Sequence, residues 1–172
     1  MVKKLFMMIA AAVLLSGAAY AQTSTQDPAV QAARAKLEVV YDLGRIFGYI
    51  QTMDREQKKL ALAPAQVKAL TATADRILKT PRLEPREAET MLKEIEDKIL
   101  RPDQLVFVDG LAIARQAERA ASSTAGSGAS AAGGTSPVAS YMSGGPFNPM
   151  TDTTRKVGQD FKAAVDYLKG KK

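Results

Sequence analysis

The side chains of this chain that could do chemistry are carboxylates, amines, hydroxyls and amides. Histidine and cysteine do not occur. The commonest general base and metal ligand is therefore missing, as are thiol nucleophiles and cysteine-bound zinc or iron–sulfur centres. No glycine loop follows a strand with a lysine placed for a phosphate, and no EF-hand ligand run is present. The serines gather in an Ala/Ser/Gly-rich stretch, where no fixed base could activate one. With no tryptophan, an aromatic ligand cage is not expected either. The best-spaced acid–base pairs are Glu89–Lys93 and Glu94–Lys98, each with the acid four residues ahead of the base. Such pairs support a helix by a few tenths of a kcal/mol and read as a solvated face. The expectation is a protein that is not an enzyme, with no cofactor and no metal.

The amides tell more. One pattern recurs three times: Leu62-Ala63-Pro64-Ala65-Gln66, Leu83-Glu84-Pro85-Arg86-Glu87 and Leu100-Arg101-Pro102-Asp103-Gln104. Each copy reads as a helix start. Proline suits the first helical position, because its fixed φ matches the helix and its missing N–H was unpaired there anyway. Gln66, Glu87 and Gln104 then stand third, where a side chain reaches back to the cap residue's N–H. Leu62, Leu83 and Leu100 fall just outside their helices, each with a hydrophobic-staple partner inside: Val67, Ala88 and Leu105.

These motifs must be carried by helices, and the rest of the chain predicts which. Residues 1–21 read as a signal peptide: Lys3 and Lys4, an apolar run from Leu5 to Leu15, then Ala19-Tyr20-Ala21 for cleavage. The run from Leu5 to Ala21 falls short of the roughly 20 residues a spanning helix needs, so an uncleaved anchor is the weaker reading. With no cysteine to carry a lipid, the product is expected to be exported, to the periplasm or the medium, with no transmembrane segment after cleavage. Residues 22–27 are a polar lead-in, and 28–120 a helical domain. Its first helix is long, from Pro28 to about Gln57, with Val30, Ala33, Leu37 and Val40 at helical spacing and then a broader face of Leu43, Ile46, Phe47, Ile50 and Met53. Gly44 and Gly48 lie one turn apart in it, each costing about 1 kcal/mol of helix propensity against alanine. They suggest a close crossing, either with another helix of this chain or in a homodimer. Three short helices follow, from Pro64 to about Leu78, Pro85 to about Ile99 and Pro102 to about Ala120. The run Leu105–Gly110 carries hairpin signals as well as helix signals; the shared opening pattern favours helix, with a kink at Gly110.

Residues 121–150 are rich in Ala, Ser and Gly, the composition of a flexible linker. Near their end, Pro146-Phe147-Asn148-Pro149-Met150 reads as a rigid turn with an aromatic to bury. Residues 151–172 predict a terminal amphipathic helix with Val157, Phe161, Val165 and Leu168 on one side, then a basic tail. The architecture expected is all-α: a small bundle of one long and three short helices, a flexible linker and a C-terminal helix. A helix on a free tether cannot bury its stripe alone. The stripe must cover this protein's own core, a second copy, or a partner or client. Net charge is +6 over 172 residues. The excess sits in the signal and the tail, which argues against the dense basic stripe that nucleic-acid binding needs.

The copies at Leu62–Gln66 and Leu100–Gln104 resemble the Leu-Thr-x-x-Gln motif found twice per chain in the Spy and CpxP family of exported helical stress proteins. Ala63 and Arg101 replace the family's threonine, and Glu84 holds that place in the middle copy. The resemblance implies a dimeric, ATP-independent chaperone or stress adaptor that binds unfolded or envelope proteins through apolar helical surfaces. Ile46, Phe47, Ile50, Val157, Phe161, Val165 and Leu168 are the candidate protein-binding residues. The alternative is an interaction protein that docks one envelope partner.

Overall fold

The structure is a computed structural model and describes residues 27–125 and 136–171. The expected signal peptide, the lead-in before Asp27 and the middle of the expected linker lie outside the described residues. The architecture is all-α. The helices are α1 (Pro28–Glu56), α2 (Pro64–Lys79), α3 (Pro85–Glu94), α4 (Pro102–Ala125), α5 (Pro137–Met142) and α6 (Lys156–Gly170). A 3₁₀ turn, Lys58–Leu60, precedes α2, and a π turn, Ile95–Ile99, extends α3. No strand occurs among the described residues; a single isolated bridge pairs Arg82 with Phe147.

The helix starts fall where proline allows them. Pro28, Pro64, Pro85, Pro102 and Pro137 each open a helix. Asp27 caps α1 by accepting the Ala29 N–H at 2.8 Å. The layout differs from the expected one in having two long helices, since α4 runs for 24 residues beside the 29 of α1. The ambiguous Leu105–Gly110 run is helical, and α4 passes through Gly110 as one element.

α1 is the axis of the bundle. Its buried face is wide because α3, α4, α5 and α6 all pack on it, α6 most extensively. Leu37, Val40, Leu43, Phe47, Ile50 and Met53 are essentially inaccessible. Phe47 meets Phe161 of α6 edge to face, with ring centroids 5.0 Å apart. Phe161, Val165 and Leu168 are all buried there, at roughly 2 kcal/mol each. The terminal helix is thus part of the core.

The stretch 121–150 is not one spacer. α4 extends through it to Ala125, and from Ser136 the chain is packed again, with Val138, Phe147 and Met150 buried. Asn148 donates from Nδ2 to the carbonyls of Ile77 and Thr80 at 2.7 and 2.8 Å, closing the end of α2 where helical carbonyls lack partners. The Leu83 N–H donates to the Phe147 carbonyl at 2.7 Å, and the Phe147 N–H to that of Pro81 at 2.9 Å. After Met150 the chain turns again, so α6 starts only at Lys156, inside the 151–172 stretch expected to be helical. Asp152 holds this turn by accepting the Thr154 N–H and hydroxyl. The turn folds back onto Gly158, where a Cβ would lie 2.2 Å from the Asp152 carbonyl oxygen. That position admits no side chain.

Of the two expected acid–base pairs on α3, Glu89–Lys93 forms at 2.8 Å. Glu94 instead bonds Arg76 of α2 at 2.6 Å. The π turn that begins at Ile95 changes the spacing, so Lys98 no longer stands one α-helical turn beyond Glu94.

Candidate functional site

Two of the three repeated motifs meet. Gln66 and Gln104 each accept their own cap N–H, from Ala63 and Arg101, at 2.9 Å. Ala63 has no side-chain acceptor to return the bond, so each cap is half a capping box. The other ends of the amides join the helices: Gln66 Nε2 donates to Gln104 Oε1 and to the Ile99 carbonyl, both at 2.7 Å. Gln104 Nε2 donates to the Leu60 carbonyl at 2.9 Å. Gln104 is fully buried, and Leu62 and Leu100 of the same two motifs belong to the core. The middle copy behaves differently. Leu83 is buried and Pro85 starts α3, but Glu87 does not cap Glu84. The Glu84 carboxylate takes Arg82 and the Tyr141 hydroxyl instead. The middle copy is held by the Tyr141–Phe147 segment, and the outer two hold each other.

A second polar centre lies at the end of α1. The Asp54 carboxylate is wholly buried and accepts the Leu62 N–H at 2.6 Å, the Tyr167 hydroxyl at 2.6 Å, and the Lys171 ammonium. Burial alone would raise its pKa. The bonds from Lys171, Tyr167 and the Leu62 N–H outweigh burial and hold it below the ordinary carboxylate value. The Tyr167 ring also lies under the Arg55 guanidinium, 4.6 Å away. The end of α6 is therefore pinned to the end of α1 and to the first motif. Periodicity did not flag Asp54, although one sign was available: an acid four residues after Ile50 falls on the helix face that is otherwise apolar.

The structure brings the expected protein-binding residues together, but against one another. Ile46, Phe47, Ile50, Phe161, Val165 and Leu168 are buried at the heart of the bundle, and Val157 is half-buried. They are core residues because α6 lies on the broad face of α1, so they do not form an open surface. Gly44 is accounted for in the same way. A Cβ there would come within 3.0 Å of Val157 and 3.1 Å of Met150, so the close crossing is with this chain's own segment. Gly48, one turn on, has open space above it.

That space is part of a groove of about 630 Å³ between α1, the second half of α4 and the start of α6. Gly44, Gly48, Tyr49, Leu111, Val157 and Ala163 supply its apolar lining. Arg45, Arg115, Arg119 and Lys156 stand around it with Glu118 and Asp160. From Ile113 to Ala121 α4 is exposed. Val106 and Ile113, seven residues apart, are 73% and 68% accessible on one face of it. A smaller cleft of about 520 Å³ separates α2 from the end of α6, crossed by a 2.9 Å ion pair between Lys169 and Asp75. No helix among the described residues is long and apolar enough to cross a membrane. Comparison of the chain with protein-family models, curated proteins and solved structures finds no match, so the likeness to Spy and CpxP rests on the motif residues alone.

Proposed function

We propose that this is an exported, non-enzymatic envelope protein that docks on a specific protein partner and does not hold unfolded chains. One observation carries the choice between the two readings. The apolar residues a holdase would present, Phe47, Ile50 and Phe161 among them, are consumed in the core. Among the described residues, what stays open is a narrow strip of α4 with the groove beside it, the smaller ion-paired cleft by α2, and Leu78 and Met142 standing singly. Capturing many unfolded clients needs a large apolar surface, whereas one ordered partner needs only a small shaped one. Export is supported by Lys3, Lys4, the Leu5–Leu15 run and the small residues Ala19 and Ala21.

The test is an aggregation assay with several unrelated unfolding proteins and stoichiometric amounts of this chain. The expected result is no suppression and weak binding of a hydrophobic dye. Suppression of several clients would restore the chaperone reading. N-terminal sequencing of the secreted protein should begin at Gln22.

A further inference from the structure

We infer that the groove between α1, α4 and α6 is the docking site, and that it receives an acidic amphipathic helix of a protein partner. The inference rests on the docking reading above and adds the site and the chemistry of the occupant.

The first observation is Gly48. A glycine inside a long helix weakens it, and at Gly44 and Gly158 the fold itself uses the missing side chain. At Gly48, as at Gly110 in α4, no described residue outside the helix's own backbone comes within 4 Å of where a Cβ would be, but Gly48 lies on the floor of the groove. The bare floor lets something from outside come close to the α1 backbone there. Second is shape. From Gly44 to Thr52 the floor is about 12 Å long, two turns of helix, walled by α4 on one side and α6 on the other. The backbone groups of α1 on this floor are already paired within the helix, so an extended peptide would find no ladder to join. A helix brings its own backbone bonds and needs only side-chain contact. Tyr49, Leu111 and Val157 would meet its apolar face.

Charge is the third. Four cations and two carboxylates line the groove, and two more carboxylates just outside it both fall on Arg45, which leaves one cation over. Arg45 is committed to Glu38 and Asp42, Arg115 to Glu118 and Lys156 to Asp160. Arg119 has no ion-pair partner among the described residues. A helix with carboxylates along its edge on the α4 side would supply one, and would compete with Glu118 for Arg115.

The experiment uses the full-length chain and three labelled synthetic 18-residue peptides, followed by fluorescence anisotropy. One peptide is an amphipathic helix with leucines on one face and glutamates beside them. In the second, lysines replace the glutamates. The third scrambles the first. The acidic amphipathic peptide should bind about tenfold or more tightly than either control. Gly48→Leu, which fills the floor, should abolish that binding while the chain still melts cooperatively, at or above the wild-type temperature. Arg119→Glu should weaken it about tenfold without touching the floor, and covers the case in which Gly48→Leu does not fold. Equal binding of the three peptides, or wild-type affinity in folded Gly48→Leu, overturns the proposal. A photo-crosslinking residue then separates the two readings in the native envelope. If it captures a partner from position 113 but not from position 48, docking stands and the groove is wrong.

Discussion

Gly44, Gly48 and Gly158 sit inside helices for different reasons, and substitution separates them. Gly158→Ala places a Cβ against the Asp152 carbonyl and close to that of Pro149, both backbone groups. It should cost about 2 kcal/mol or more, read from chemical unfolding. Gly48→Ala meets nothing and should stabilise by about 1 kcal/mol through helix propensity alone. Asp54 supplies the second residue-scale expectation. Its folded pKa is depressed, so its stabilisation is complete above the ordinary carboxylate pKa of about 4 and is lost as pH falls through the lower folded value. Asp54→Asn should therefore destabilise the protein at pH 7, by about 2–4 kcal/mol. Its stability should also fall less steeply than the wild type's below pH 4. Lys171→Ala should cost less, because that side chain is partly exposed and its removal leaves Asp54 with two donors.

Among the elements, what could be read from sequence was the set of starts. Proline, the leucine before it and the amide after it are local signals, and α2, α3 and α4 begin where they point. The end of α4 was less accessible, because Ala and Ser continue a helix about as readily as they fill a tether. Neither could spacing reveal that Gln66 and Gln104 bond to each other across 38 residues, since each also has a sufficient local role. For the same reason the candidate binding residues were correctly seen as apolar faces but not as two halves of one interface. Periodicity marks a face for burial without naming its partner. The groove carries no periodic signal at all, and Gly48 on its floor looks no different in sequence from Gly110 outside it. A contrast between motif copies tests the node. Gln104→Ala strips a buried bridge, leaving the Arg101 N–H without its side-chain acceptor, the Leu60 carbonyl without its amide donor and Gln66 with one of its two acceptors, and should lower stability by about 2–3 kcal/mol. Glu87→Ala, in the copy that does not cap, should be close to neutral in the same melt.

At the scale of the molecule, the tail and the core are one folding unit. Truncation after Arg119 removes Phe161, Val165 and Leu168 from the face of α1, and Asn148 from the end of α2. The fragment should lose cooperative unfolding, which calorimetry or a chemical melt would show; a sharp two-state transition in it would mean that α1–α4 stand alone. The knot at Asp54 has a consequence in time. It joins residues 113 and 117 positions apart in the chain, so ribosomes make one partner long before the other. An emerging chain carries the broad stripe of α1 with nothing to lay on it until α6 follows, and the cost of closing so long a loop delays pairing further. Stalled nascent chains ending before Lys156 should accordingly be cleaved readily by protease, while those extending past Lys171 and clear of the exit tunnel become resistant. On the export route proposed above, late closure would keep the chain threadable until α6 has been made.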